Sequence, residues 1–257
     1  MSLLNLLNAN IRKEYIELKR YLPNTIAMVF TFYFIFLGMF LGIQFVGDPS
    51  MQEMNTQYAI VNSVFWFLAF MVVNSIGYEV LNEAMRGTLE QLSMSPMGIW
   101  RIMGARLIAT TLVNSLLILG LLFLSMLTTG QWLNIDVVTI LPIMVLTLFS
   151  MFGIGFMIAG MSIVLKQVQA FLQILQFILM GMTFIPLTVA PFFAYLPFVK
   201  GVDLIRAVMI DGISLSQIGF GDFLFLLVNG LVYFVLGLGI FLYCEKAAMK
   251  KGLLGHY

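Results

Sequence analysis

Six stretches of predominantly apolar residues, at about 25–46, 58–78, 107–129, 137–160, 168–187 and 223–243, constrain this chain more than any other feature. About 20 apolar residues span the hydrocarbon core of a bilayer, so each stretch reads as a transmembrane helix. Only 10% of the 257 residues are charged, against about 25% in a soluble domain. The expected fold is therefore all-α and integral to a membrane, a single transmembrane domain over 1–257 with six spans.

Charge sets the expected orientation. Arg12, Lys13, Lys19, Arg20, Arg86, Arg101, Arg106, Lys166, Lys246, Lys250 and Lys251 fall on one side of the spans. Loops 47–57 and 130–136 on the other side have no lysine or arginine, and 188–222 has Lys200 and Arg206. Lysine and arginine collect in cytoplasmic loops, which predicts that both termini and the 79–106 loop are cytoplasmic. A net charge of +1 gives no reason to invoke nucleic acid. The single cysteine, Cys244, excludes an internal disulfide, and no Cys/His/carboxylate grouping has metal-ligand spacing. His256, beside the C-terminus, reads as solvated.

Two further segments are neither spans nor plain loops. In residues 1–22, Leu4, Leu7, Ile11, Tyr15, Leu18 and Leu22 recur at three- and four-residue steps, with Asn5, Asn8, Arg12 and Glu17 between them. This pattern predicts an amphipathic helix lying in the membrane interface, broken by Pro23 and followed by a first span capped at Thr25. A frayed terminus is the alternative. Glu14 and Glu17 argue against a cleavable signal peptide. Segment 188–222 contains Pro191 and Pro197 and is too short of unbroken apolar sequence to cross, yet too apolar for a free loop. Backbone at membrane depth survives only under cover of protein or a water-filled cavity. The reading is a re-entrant pair of half-helices over 188–211, at about 188–196 and 198–211, with Asp203 and Arg206 spaced to pair at i,i+3.

The most polar stretch is NEAMRGTLEQLSMSPMGIWR, residues 82–101. Glu79, Glu83, Arg86 and Glu90 are too costly to hold at mid-bilayer. The spacing lets Arg86 bridge Glu83 and Glu90 on one helix face. Gly87 permits a bend, and Ser95-Pro96 ends a short second helix at about 88–94. Either this is a compact rigid protrusion or an ordinary solvated turn. The string Glu83-Ala84-Met85-Arg86-Gly87-Thr88-Leu89-Glu90-Gln91-Leu92, followed by Ser95-Pro96, resembles the glutamate-x-x-x-Gly-Thr-Leu-Glu segment between the second and third spans of ABC-2 type transporter permeases. An amphipathic N-terminal helix, six spans and a re-entrant pair before the last span are similar to that family along nearly the whole chain. Pro197, Leu204-Ile205-Arg206 and Asp211-Gly212 echo its outer-helix pattern, with Asp203 and a single glycine as departures.

The resemblance implies that 83–96 is a coupling helix region docking on an ATP-binding subunit. Glu83, Arg86, Glu90 and Gln91 would then make polar contacts, and Gly87-Thr88 would set the bend. It implies a bacterial-type cell membrane, multi-pass, and a second permease copy or paralogue. The chain contains no Gly-x4-Gly-Lys-Ser/Thr phosphate loop, so ATP and Mg2+ are expected on the partner ATPase. No catalytic, cofactor-binding or metal-binding residue is expected in this chain.

A transport path is sought along polar stripes. Gln169, Gln173, Gln176, Met180 and Thr183 step by four and three along the fifth span, and Asn62 and Phe65 share a face of the second. Such amides either hydrogen-bond between helices as packing glue or line a route at a dimer interface. Abundant Phe (24) and Met (19) suit greasy cargo, and lipid-facing positions would select them too. Gly38 and Gly42, and Gly153, Gly155 and Gly160, are expected to pack helices internally. The function expected is a permease subunit exporting an amphipathic or hydrophobic cargo such as a drug, an antimicrobial peptide or a lipid-linked molecule. A secondary carrier, which usually needs ionisable groups within the spans, and a non-transporting scaffold or sensor subunit are the rivals.

Overall fold

The computed structural model describes residues 3–165 and 168–250, so Lys166, Lys251 and His256 lie outside the described residues. The described residues are all helical, without strands. In order they form α1 (Leu3–Arg20), α2 (Leu22–Val46), α3 (Gln52–Met85), α4 (Leu89–Ser93), α5 (Ile99–Thr129), α6 (Val137–Leu165), α7 (Gln169–Phe184), α8 (Val199–Asp211) and α9 (Phe220–Lys250), with short 3-10 turns at Pro49–Met51, Pro191–Tyr195 and Leu215–Gln217. Five of these helices, α2, α3, α5, α6 and α9, are long and apolar enough to cross a bilayer. The protein is thus a multi-pass, all-helical membrane protein. The expected sixth span is the apolar but shorter α7, whose 16 residues extend about 24 Å at 1.5 Å per residue. That is less than a hydrocarbon core of about 30 Å.

One helix is the core of the bundle. Other helices enclose 89% of the apolar stretch of α3, against 11% in α2 and 17% in α9. Phe67, Leu68, Val72 and Val73 of α3 are all sealed off. Helices α2, α5, α6, α7 and α8 pack around it. The tightest pairing is α6 with α9, where backbones meet: a Cβ on Gly237 would lie 2.0 Å from the Gly153 carbonyl oxygen. Small residues allow this approach. Gly153 and Gly160 thus pack inside the chain as their clustering suggested. Gly38 and Gly42 do not, because nothing approaches within 4 Å of a Cβ at either position.

The N-terminal helix forms, with Leu7, Ile11 and Leu18 of its apolar stripe half-buried. Leu4, Tyr15 and Leu22 are exposed. The side facing the bundle carries Leu7, Asn10, Ile11 and Glu14, with Asn10 nearly buried and donating to the Leu6 carbonyl at 2.8 Å. Thr25 does not cap α2. That helix starts at Leu22 with Pro23 in its first turn, where the missing N–H has no partner to lose, and the Thr25 hydroxyl donates back to the Tyr21 carbonyl.

Candidate functional site

The two polar regions singled out in the sequence sit toward opposite ends of α3. The first surrounds Arg206. Helix α8 is pinned at its start, where Phe198 takes a left-handed φ of 58° beside the buried Pro197 and donates its N–H to Ser150 Oγ of α6 at 2.9 Å. At Gly201 a Cβ would collide with Thr147 of α6. So fixed, α8 directs Arg206 inward, where it is only 6% exposed. Arg206 Nη1 lies 3.2 Å from Asp203 Oδ1, the i,i+3 pair read from the spacing. Its Nε and Nη2 also reach Asn62 Oδ1 at 3.1 and 2.8 Å, and Nη2 donates to the Thr183 carbonyl at 3.2 Å. The guanidinium carbon lies 5.2 Å from the centre of the Tyr58 ring.

A buried charge is tolerable when its donors are satisfied, and the planar fork of arginine can serve several acceptors that lysine's point charge cannot. Arg206 thereby ties α3, α7 and α8 into one node. Asn62, Thr183, Asp203 and Arg206, separate candidates in the sequence, are brought together. Tyr58 was missed; its signal was position, one turn before Asn62 on the same face of α3. Beside the node opens a cleft of about 750 Å³ between α2, α3 and the segment after α7, lined by Tyr58, Asn62, Phe184 and Thr188.

The remaining stripe residues do not join it. Phe65 is buried and faces a separate apolar cavity of about 180 Å³. On α7, Gln176 and Met180 are half-buried and Gln169 and Gln173 are exposed, beside exposed Ile174, Phe177 and Ile178. The side of α7 that packs inward carries Leu172, Leu179 and Thr183 instead. Contact with α3 runs through backbone as well, since the Gln176 carbonyl accepts from Trp66 Nε1 at 3.1 Å.

The second region is at the far end of α3, about 31 Å from Asn62 by helix rise. Glu79 and Glu83, one turn apart, both accept from Arg106 Nη1 of α5, at 3.1 and 2.6 Å. Glu79 also pairs with Lys13 of α1 at 3.2 Å, and Glu14 of α1 accepts from the Thr110 hydroxyl of α5 at 2.9 Å. Burial pushes the Glu14 carboxyl above its ordinary value, against the lowering effects of the Thr110 bond and Lys13. Thr88 donates its hydroxyl to the Glu83 carboxylate and to the Glu83 carbonyl. These bonds clamp the α3–α4 turn, where Gly87 has φ of 69°, a conformation glycine adopts without a Cβ penalty.

The short helix expected at 88–94 is therefore present as α4. The ion pairing expected along it is not. Arg86 is exposed and has no ion pair among the described residues, whereas Glu83 is held by Arg106, a partner 23 positions away. What projects outward is Arg86, Glu90 and Gln91, flanked by Met85 and Met94 at 56% and 73% exposure. The two methionines were passed over because a greasy residue in a greasy sequence carries no signal. Together these side chains make an exposed face of mixed charge and flexible apolar surface. Among the described residues no group of His, Cys, Asp or Glu has the arrangement to hold a metal ion.

The sequence matches no protein-family model. No curated protein matches it either.

Proposed function

We propose that this chain is the membrane-spanning permease subunit of an ATP-driven ABC exporter of the ABC-2 type, moving an amphipathic or hydrophobic cargo out of a bacterial-type cell. ATP is hydrolysed on a separate chain, and two permeases, identical or paralogous, form the pathway. Both termini lie in the cytoplasm. α7 is the shortest of six spans, accommodated by local thinning of the bilayer. The segment 188–211 is a re-entrant closure on the outer side.

The observation that carries this reading is the continuity of α3. One unbroken helix of 34 residues, about 50 Å long, has the exposed α4 knob at one end and the Arg206 node and its cleft toward the other. A push on Arg86, Glu90 and Gln91 passes through the Glu83–Thr88 and Glu83–Arg106 clamps into α3. It therefore reaches Asn62 and the 750 Å³ cleft without deforming a soft segment. The exposed glutamines of α7 and the open Gly38–Gly42 face of α2 are surfaces a second copy could cover.

The test is transport in sealed vesicles containing this protein with a candidate ATPase partner. ATP-dependent accumulation of an amphipathic dye supports the pump. Accumulation driven by an ion gradient without ATP would replace it with a secondary carrier, and no movement at all with a scaffold or sensor. Glu90→Lys, which reverses a charge on the exposed knob, should lower ATP-dependent transport by about tenfold with unchanged expression and melting. Unchanged transport in that variant would remove the docking role.

A further inference from the structure

An apolar cavity of about 350 Å³ opens at the α4 end of the bundle, between α1, α5, α6 and α9. Leu4 and Leu7 of α1, Phe152 and Phe156 of α6 and Phe234 of α9 form much of its wall. The Arg206 node takes no part in it. Its size falls within the range of about 300–1,000 Å³ usual for ligand sites. Gly104 of α5 opens onto this space. A Cβ there meets only the far edge of the Phe156 ring, at 3.6 Å.

The rim differs in character from the wall. Trp100 is partly exposed, and the guanidinium carbon of Arg101 lies 5.1 Å from its ring centre. Arg101 is exposed and has no ion pair among the described residues, unlike Lys13 and Arg106 nearby in the chain fold. A tryptophan beside an arginine is the pairing found where a protein passes from hydrocarbon to headgroups. A free cation there attracts anionic lipid. A purely apolar slot capped by one unpaired cation and an indole has the chemistry of a phospholipid, apolar below and anionic at the top.

We propose that this cavity is a binding site for one anionic glycerophospholipid of the leaflet on the α4 side, with an acyl chain against Phe152, Phe156 and Phe234 and the phosphate on Arg101. The lipid would fill the joint between α1 and α5, next to the clamp that holds the α3–α4 turn. The site requires only that the bundle be embedded in a bilayer, so it stands or falls separately from the exporter reading.

Native mass spectrometry of the full chain, released from detergent with added phosphatidylglycerol or phosphatidylcholine, tests it. The wild type should retain one phosphatidylglycerol per chain about fivefold more strongly than phosphatidylcholine. Arg101→Gln should abolish the preference while one lipid of either kind is still retained. Gly104→Leu, which fills the slot and improves helix propensity, should lower retention of both lipids without lowering the melting temperature. Equal retention of the two lipids by the wild type, or a preference that survives Arg101→Gln, overturns the proposal. So does lipid retention that Gly104→Leu leaves unchanged.

Discussion

Arg206 concentrates what single residues contribute to this fold. Its side chain is satisfied by a carboxylate, an amide oxygen and a carbonyl from three different helices. Removing the amide oxygen leaves two guanidinium donors buried without an acceptor, so Asn62→Leu should destabilise the protein by about 2–3 kcal/mol. In a double-mutant cycle with Arg206→Leu, denaturant unfolding in detergent should show coupling of at least about 1 kcal/mol. Additive effects would mean the contact contributes nothing. The Asp203–Arg206 half of this node was legible in the sequence because three positions along a helix fix a distance. The Asn62–Arg206 half was not. It joins residues 144 positions apart, and only the packing of α8 against α6 brings them together. Glu83 makes the same point in reverse: local spacing offered it Arg86, and tertiary structure supplied Arg106.

At the scale of elements, hydrophobic run length located the five long helices and the shorter α7, and turn chemistry at Gly87 and Ser95-Pro96 placed the bend and the short α4. Run length does not say which helix is central, because lipid and protein interior select the same side chains. The glycines do carry that information once their surroundings are known. Gly237→Val would force a side chain into the α6 backbone and should cost about 1–3 kcal/mol or more. Gly38→Val, pointing into open space, should cost less than about 1 kcal/mol. Equal melting temperatures for the two variants would refute the α6–α9 packing.

Helix α1 adds a pH dependence. Glu14 is half-buried against Thr110, with Lys13, Glu17 and Glu79 as its charged neighbours, and its pKa is raised above 4.5. A carboxyl whose pKa is higher when docked favours docking while protonated. That contribution is complete below pH 4.5 and is lost as pH rises through the raised value. A spin label on exposed Glu17 should therefore become more mobile as pH climbs from 4.5, and Glu14→Gln should flatten the response. A mobility independent of pH in the wild type would show that Glu14 does not govern docking.

For the whole molecule, the proposed function is mechanical: α3 would act as a rigid rod, with its knob taking force from an ATPase chain and its far end carrying the Arg206 node and the cleft. The polar knob was legible from charge that cannot remain in lipid. The route from knob to node was not, because it depends on Arg106 clamping the turn and on α3 lying at the centre of the bundle. Cysteine crosslinking from the knob tests this transmission of force. Gln91→Cys, in a Cys244→Ser background that removes the only native thiol, is exposed and stands clear of the clamp. Docking of the knob predicts a crosslink to a separate ATPase chain whose yield changes between nucleotide-free and ATP-bound states. A crosslink that never forms with an ATPase, in any nucleotide state of the assembled complex, would contradict it.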